Sequence, residues 1–186
     1  MPYDPKVHHR RSLRLPGYDY ASPGAYYVTL RNEGKLCVWG AVIGDELRHN
    51  EAGRMVLRWL SEVPHKFPYV SVDEHVVMPN HVHVIFFIHT GARVRLSRMP
   101  RETAEGQAGV LRPALGRVVG WLKTMSTNEY IRGVKEKDWP PFPGRLWQRN
   151  YYERILDSQK QLDAARVYIA RNPANWHQDR NNLDGE

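Results

Sequence analysis

A single cysteine, Cys37, stands in the 186 residues of this chain. One thiol can build neither a disulfide framework nor a thiolate zinc site, and it fits a reducing cytoplasm, with a nucleoid-associated location expected. No apolar run approaches the roughly 20 residues of a membrane span, so no membrane partner is expected. The first fifteen residues are polar and basic with no apolar stretch behind them, which excludes a secretory signal. No Walker-type glycine loop is present, so nothing in the sequence calls for ATP. Acidic residues are also few, 20 against 27 Lys and Arg. The resulting net charge of +7 and pI near 9.6 point to a polyanionic partner.

What is present suits one globular domain. The hydrophobic fraction is 41%, and the chain holds 6 Trp, 10 Tyr and 4 Phe. Residues 1–23 read as a basic arm, 24–176 as the folded domain with a flexible loop over 89–109, and 177–186 as a tail. The stretch from His89 to Lys123 carries seven basic and two acidic residues. Strands are predicted over 24–31, 69–78, 81–88 and 146–155, with a hairpin beginning in 36–43. Helices are predicted over 51–63, closed by Pro64, and along the face of Leu111, Leu115, Val118, Val119, Leu122 and Met125, with Pro113 in the first turn. A last helix spans 158–172, opened by the capping pair Ser158 and Gln161 and stopped by Pro173. The order β-α-β-β-α-β plus a C-terminal helix is the ferredoxin-like split βαβ arrangement, an α+β fold with an antiparallel sheet.

Alternate side chains on a strand share a face. His81 and His83 therefore point together, while Val82, Val84, Phe86 and Ile88 form the core side. Two imidazoles are a start on a metal site, and further ligands must come from elsewhere. A tight turn at Pro79-Asn80 sets Val76 opposite His83 and Glu74 opposite Ile85, making Glu74 a candidate to orient a ligating imidazole. On the last helix Tyr168 and Asn172 are four apart and share a face. The Asn172 amide oxygen can serve as a third ligand. Leu162, Ala165, Val167 and Ile169 supply most of its buried stripe, and Ala164 and Ala165 permit close approach to the sheet. By composition alone, Tyr168 reads first as an amphipathic packing residue and Asn172 as a C-terminal helix residue before proline. Tyr151 and Tyr152 are rivals on a strand, with no helical amide four residues on.

Four blocks change that balance. They are RRSLRLPGYDYASPGAYYVTL (residues 10–30), MPNHVHVIF (78–86), WQRNYYERI (147–155) and YIARNPANW (168–176). Together, and in this order, they resemble the REP-associated tyrosine transposase family, within the single-tyrosine HUH transposases of insertion sequences. The resemblance implies a ferredoxin-like fold and metal-dependent cleavage of single-stranded DNA through a 5′-phosphotyrosine. It matches His81 and His83 to metal ligands, Tyr168 to the nucleophile and Asn172 to the amide ligand, a position where related transposases usually carry Gln. The implied cofactor is a divalent metal, Mg²⁺ or Mn²⁺.

Expected DNA contacts are Arg10, Arg11 and Arg14 in the arm, which combines them with Tyr18 and Tyr20 as single-strand or hairpin binding favours. Arg112, Arg117 and Lys123 on the middle helix, and Arg149 and Arg154 near the last strand, complete the set. Trp121 can stack a base or simply pack. A non-catalytic nucleic-acid-binding module and a water-activating metal hydrolase stand as alternatives, and the sequence leaves homodimer formation open.

Overall fold

The structure, a computed structural model, describes residues 17–90, 114–179 and 181–182. β1 (Gly24–Arg31), β4 (Val70–Met78), β5 (His81–Ile88) and β6 (Tyr152–Leu156) form one sheet in the order β4-β5-β1-β6, every neighbouring pair antiparallel. With α1 (Glu51–Lys66), α2 (Leu115–Glu136) and α3 (Gln159–Arg171), this is the expected α+β fold of ferredoxin-like order with an added C-terminal helix. A short hairpin, β2 (Gly40–Ile43) and β3 (Glu46–His49), stands apart from the main sheet.

Strand alternation sorts the sheet into two faces. Tyr26, Val28 and Leu30 of β1 and Val82, Val84, Phe86 and Ile88 of β5 join the buried residues of α1 and α2 in one large core. Ala25, Tyr27, Val76, Met78, Ile85 and Leu156 face the other way and are covered by Leu162 and Ile169 of α3 and by Trp176. The polar ends of the large core's aromatic rings are satisfied. The Trp39 indole donates to Asn32 Oδ1 at 2.9 Å, that of Trp147 to Ser126 Oγ at 2.9 Å, and the Tyr130 hydroxyl to the Pro140 carbonyl at 2.8 Å.

Several boundaries differ from those expected. α1 starts on the Asn50 cap, whose side chain accepts from Gly53 N, and runs through Pro64 to Lys66. A proline in the last turn forfeits little of the ladder. α2 extends to Glu136 because Tyr130 and Gly133 continue its buried face beyond Met125. β6 is shorter than 146–155: Trp147 makes only an isolated bridge to Asn32, and Lys123 Nζ captures the Gln148 and Asn150 carbonyls at 2.8 and 3.1 Å. Carbonyls held by an ammonium are not extending a ladder. Residues 17–23 belong to the body and not to an arm. Tyr20 is buried, its carbonyl accepts from Leu115 N, and Tyr18 bonds the Tyr26 hydroxyl. No helix among the described residues is long and apolar enough to cross a membrane.

Candidate active site

The β4–β5 hairpin places the histidines. Met78 pairs with His81 and Val76 with His83, across the turn at Pro79 and Asn80. Both imidazoles are buried, with their Nε2 atoms 3.1 Å apart. Asn80 fixes the first ring. Its amide nitrogen donates to the Asn181 and Lys35 carbonyls at 2.7 and 3.2 Å, so its Oδ1 is the acceptor for His81 Nδ1 at 2.9 Å. His81 therefore carries its proton on Nδ1 and turns the Nε2 lone pair toward His83. The second ring is held at Nδ1 by the Tyr27 hydroxyl at 2.6 Å and the Thr29 hydroxyl at 2.9 Å, both from β1. Thr29 stands directly opposite His83 in the sheet.

α3 lies across this face. Its N-cap is Ser158, which accepts from Gln161 N, and its C-cap is Asn172. Arg166 clamps it to β4, reaching Asp73 Oδ2 at 2.7 Å and Oδ1 at 3.2 Å. Tyr168 is 50% exposed, yet its ring stands edge-on to His83 with centroids 5.4 Å apart. One turn on, Asn172 is buried beside His81; the neutral ring carries its proton on the nitrogen that faces Asn80, so Asn172 Oδ1 has no donor. A buried amide oxygen without a donor costs roughly 1–3 kcal/mol unless a ligand satisfies it. Val167, expected in the buried stripe, is 49% exposed, so Leu162 and Ile169 carry the packing.

The carboxylate beside the histidines is not Glu74. Two residues, Asp73 and Glu74, oppose Ile85 in a bulge between Val72 and His75. The bulge aims Asp73 at Arg166 and leaves Glu74 exposed. Asp179 takes the place instead, from a segment expected to be only a tail. Trp176 stacks on His81 with centroids 6.0 Å apart, and the turn Trp176–Gln178 delivers Asp179. The Asn181 backbone and side chain both donate to Asp179 Oδ1 at 2.7 Å, leaving Oδ2 at 3.8 Å from His81 Nε2. One donor atom each from His81, His83 and Asp179 lies within 4.8 Å of the others.

Burial drives the His81 pKa down to about 4, opposed by Asp179 and Asn172 and assisted by Arg31. Burial, His81 and Arg31 push His83 down to about 2. Both rings are neutral at pH 7, so the contact with Asp179 is not an ion pair there. Burial also raises the Tyr27 phenol far above its ordinary value. Neutral imidazole nitrogens, a partnerless amide oxygen and a carboxylate are the donor set a divalent cation requires, so the residues fit a metal.

Beside the pair a pocket of about 650 Å³ opens between β1, β6 and α3, with Tyr168 and His83 on its wall. Of the two rival tyrosines, Tyr152 faces this pocket and is 51% exposed, while Tyr151 packs on the large core beneath Lys123. Arg154 lines the pocket; Arg117 and Arg149 are exposed elsewhere, on α2 and in the stretch before β6. Lys123 is not a free surface charge: besides its two carbonyls, burial lowers its pKa to about 8. Trp121 packs edge-on against Trp59 and Phe67, and Tyr18 and Tyr20 pack against Tyr26, so none of the three is an open stacking platform. Arg10, Arg11, Arg14 and Arg112 lie outside the described residues, as does most of the loop 89–109.

The fold is that of a tyrosine transposase. Over 88% of this chain and 73% of the other, it superposes on the structure of a REP-associated tyrosine transposase bound to a REP hairpin, with a TM-score of 0.55 at 14% identity. The chain itself belongs to one family with a Haemophilus influenzae protein of uncharacterized function, to which it is 34% identical over 184 residues, 98% of each chain. No protein-family model matches.

Proposed function

We propose that this chain is a metal-dependent single-stranded DNA endonuclease and strand transferase of the REP-associated tyrosine transposase kind, acting through a 5′-phosphotyrosine. The observation that carries the reading is the placement of Tyr168. An exposed phenol stands edge-on to a buried histidine pair, with the partnerless Asn172 oxygen one helical turn away. His81, His83 and Asn172 would hold the cation, Mg²⁺ or Mn²⁺, with Asp179 as a further oxygen donor. A bound divalent ion supplies charge neutralisation at a phosphate oxygen.

The residues of the chain do the rest. Tyr168 Oη attacks phosphorus in line, the bond to the 3′ oxygen breaks, and the departing strand leaves as a free 3′-OH while the phenol gives up its proton. The phosphotyrosine keeps the energy of the broken diester, so a second 3′-OH can displace the phenolate and rejoin the strands. Asn80, Tyr27 and Thr29 keep both imidazoles fixed through this cycle. The partner is single-stranded or hairpin DNA, as in the complex formed by the structurally similar transposase.

The test is a covalent adduct on a denaturing gel, formed with a pool of single-stranded and hairpin oligonucleotides in Mn²⁺ or Mg²⁺. The adduct is expected in the parent chain, and EDTA, His83→Ala and Tyr168→Phe are each expected to abolish it. Tyr151→Phe and Tyr152→Phe are expected to retain it. Nicking that persists in Tyr168→Phe without an adduct identifies a hydrolase. An adduct lost only in Tyr152→Phe moves the nucleophile to β6.

A further inference from the structure

Two residues on the wall of the pocket beside Tyr168, Arg31 and Gln161, each carry a buried polar atom without a partner, and the two atoms are of opposite character. Arg31 Nε is a buried donor with no acceptor, and Gln161 Oε1 is a buried acceptor with no donor. Arg31 ends β1 directly across from His81, so its charge lies on the side of the histidine pair. Gln161 opens α3, and Tyr152 on β6 adds a half-exposed ring to the same wall. Two exposed cations, Arg154 and Lys160, border the same space.

A phosphate alone would satisfy Arg31 and leave Gln161 unmatched, because a phosphate diester carries no donor. An apolar ligand would satisfy neither. A nucleotide carries both halves: an anionic oxygen for a guanidinium and, on every base that pairs, an N–H for an amide oxygen. It also carries a flat ring for Tyr152, and base–aromatic stacking tolerates any sequence. The volume suits one nucleotide with room to spare.

We propose that this pocket is a nucleotide subsite, holding one unpaired nucleotide next to the phosphate that Tyr168 attacks, with Arg31 on a phosphate oxygen, Gln161 on the base edge and Tyr152 stacked on the base. The location relative to the attacked phosphate rests on the function proposed above; the pocket's affinity for a nucleotide does not.

The full chain, without metal, is titrated with each deoxynucleoside 5′-monophosphate and with 2-deoxyribose 5-phosphate, following backbone and side-chain amide resonances. The nucleotides are expected to shift the amides of Tyr152, Gln161 and Ala165 and to bind more tightly than the baseless sugar phosphate. Gln161→Leu removes one hydrogen bond, so nucleotide binding is expected to weaken about 5-fold while sugar phosphate binding is unchanged. Tyr152→Ala, at an exposed position where folding is not at risk, is expected to do the same, and Arg31→Gln to weaken both ligands. Equal binding of nucleotide and sugar phosphate, shifts confined to other surfaces, or no shift at millimolar concentrations would each overturn the subsite. Nucleotide binding without any covalent adduct would leave the subsite standing and sink the strand-transfer reading; an adduct without nucleotide binding would do the reverse.

Discussion

The two faces of the central sheet are built on opposite terms. Toward α1 and α2 the side chains are apolar, and the indoles and hydroxyls among them find partners. Toward α3 the same strands present histidines, a threonine and an arginine, and two side chains there, Asn172 and Gln161, keep a buried oxygen without a donor. The indoles and phenols of the first face are saturated, and the second face is left unfinished. Saturation fixes a fold, and unsatisfied groups held rigidly by that fold are what a ligand can complete. The contrast also explains why α3 is clamped by a bidentate Arg166–Asp73 pair and few apolar contacts: its cover has to leave a pocket open.

The sharpest way to break this contrast is a matched pair of truncations. Phe86, wholly buried on the saturated face, should cost about 3–5 kcal/mol of unfolding free energy as Phe86→Ala, whereas Tyr168→Phe should stay within about 0.5 kcal/mol while losing the adduct. Urea unfolding of the two variants checks it, and comparable losses would mean that α3 is part of the same cohesive core.

Acid gives a smaller, directional effect. An unfolded imidazole titrates near about 6.5, whereas His81 and His83 are pushed down to about 4 and about 2 in the fold. A depressed histidine pKa means the unfolded chain binds the proton more readily. The stability gained by keeping the rings neutral is therefore intact above about 6.5 and is lost as pH falls from there toward 4. In EDTA, lowering the pH from 7 to 5 should cost on the order of 1–2 kcal/mol per histidine, and His81→Gln and His83→Gln should each flatten the decline. A parent chain equally stable at both pH values would mean the rings are not held neutral.

The smallest effect separates two cations of α2. Lys123→Met should lower stability by about 1–2 kcal/mol, because two carbonyls lose their donor, without changing the salt dependence of DNA binding. Arg117→Ala should leave stability alone and, if it touches a phosphate, flatten the salt slope by up to about 0.7. A slope change in Lys123→Met would place that ammonium on DNA after all.

How far the sequence could be read follows the same division. The saturated face was legible, since runs such as Val82, Val84, Phe86 and Ile88 announce both a strand and the side it buries. The shared direction of His81 and His83 and the shared side of Tyr168 and Asn172 followed from the same periodicities. What escaped was set by single-residue events. One extra residue in β4 turned Glu74 outward and aimed Asp73 at Arg166, and no local pattern marks such a bulge. Asp179 lies in a polar stretch without period, so only the fold reveals its place beside His81. Lys123 holds two carbonyls just before β6, which is shorter than its residue pattern suggests, and the register opposite Thr29 puts Tyr152 on the wall of the pocket. Asn80 looked like a turn residue, which it is, and nothing in the sequence shows that its amide also sets the tautomer of the next side chain.

That amide has a consequence in time. Asn80 is steadied by the Asn181 carbonyl, 101 residues further along the chain. During synthesis at about 5–20 residues per second, the histidine strand emerges roughly 5–20 seconds before the segment that braces it. For most of that interval a nascent chain holds His81 and His83 without Tyr168, Asn172 or Asp179. Synthesis thus orders the assembly, and the groups gathered around the histidine pair come together only after Asp179 and Asn181 have been made.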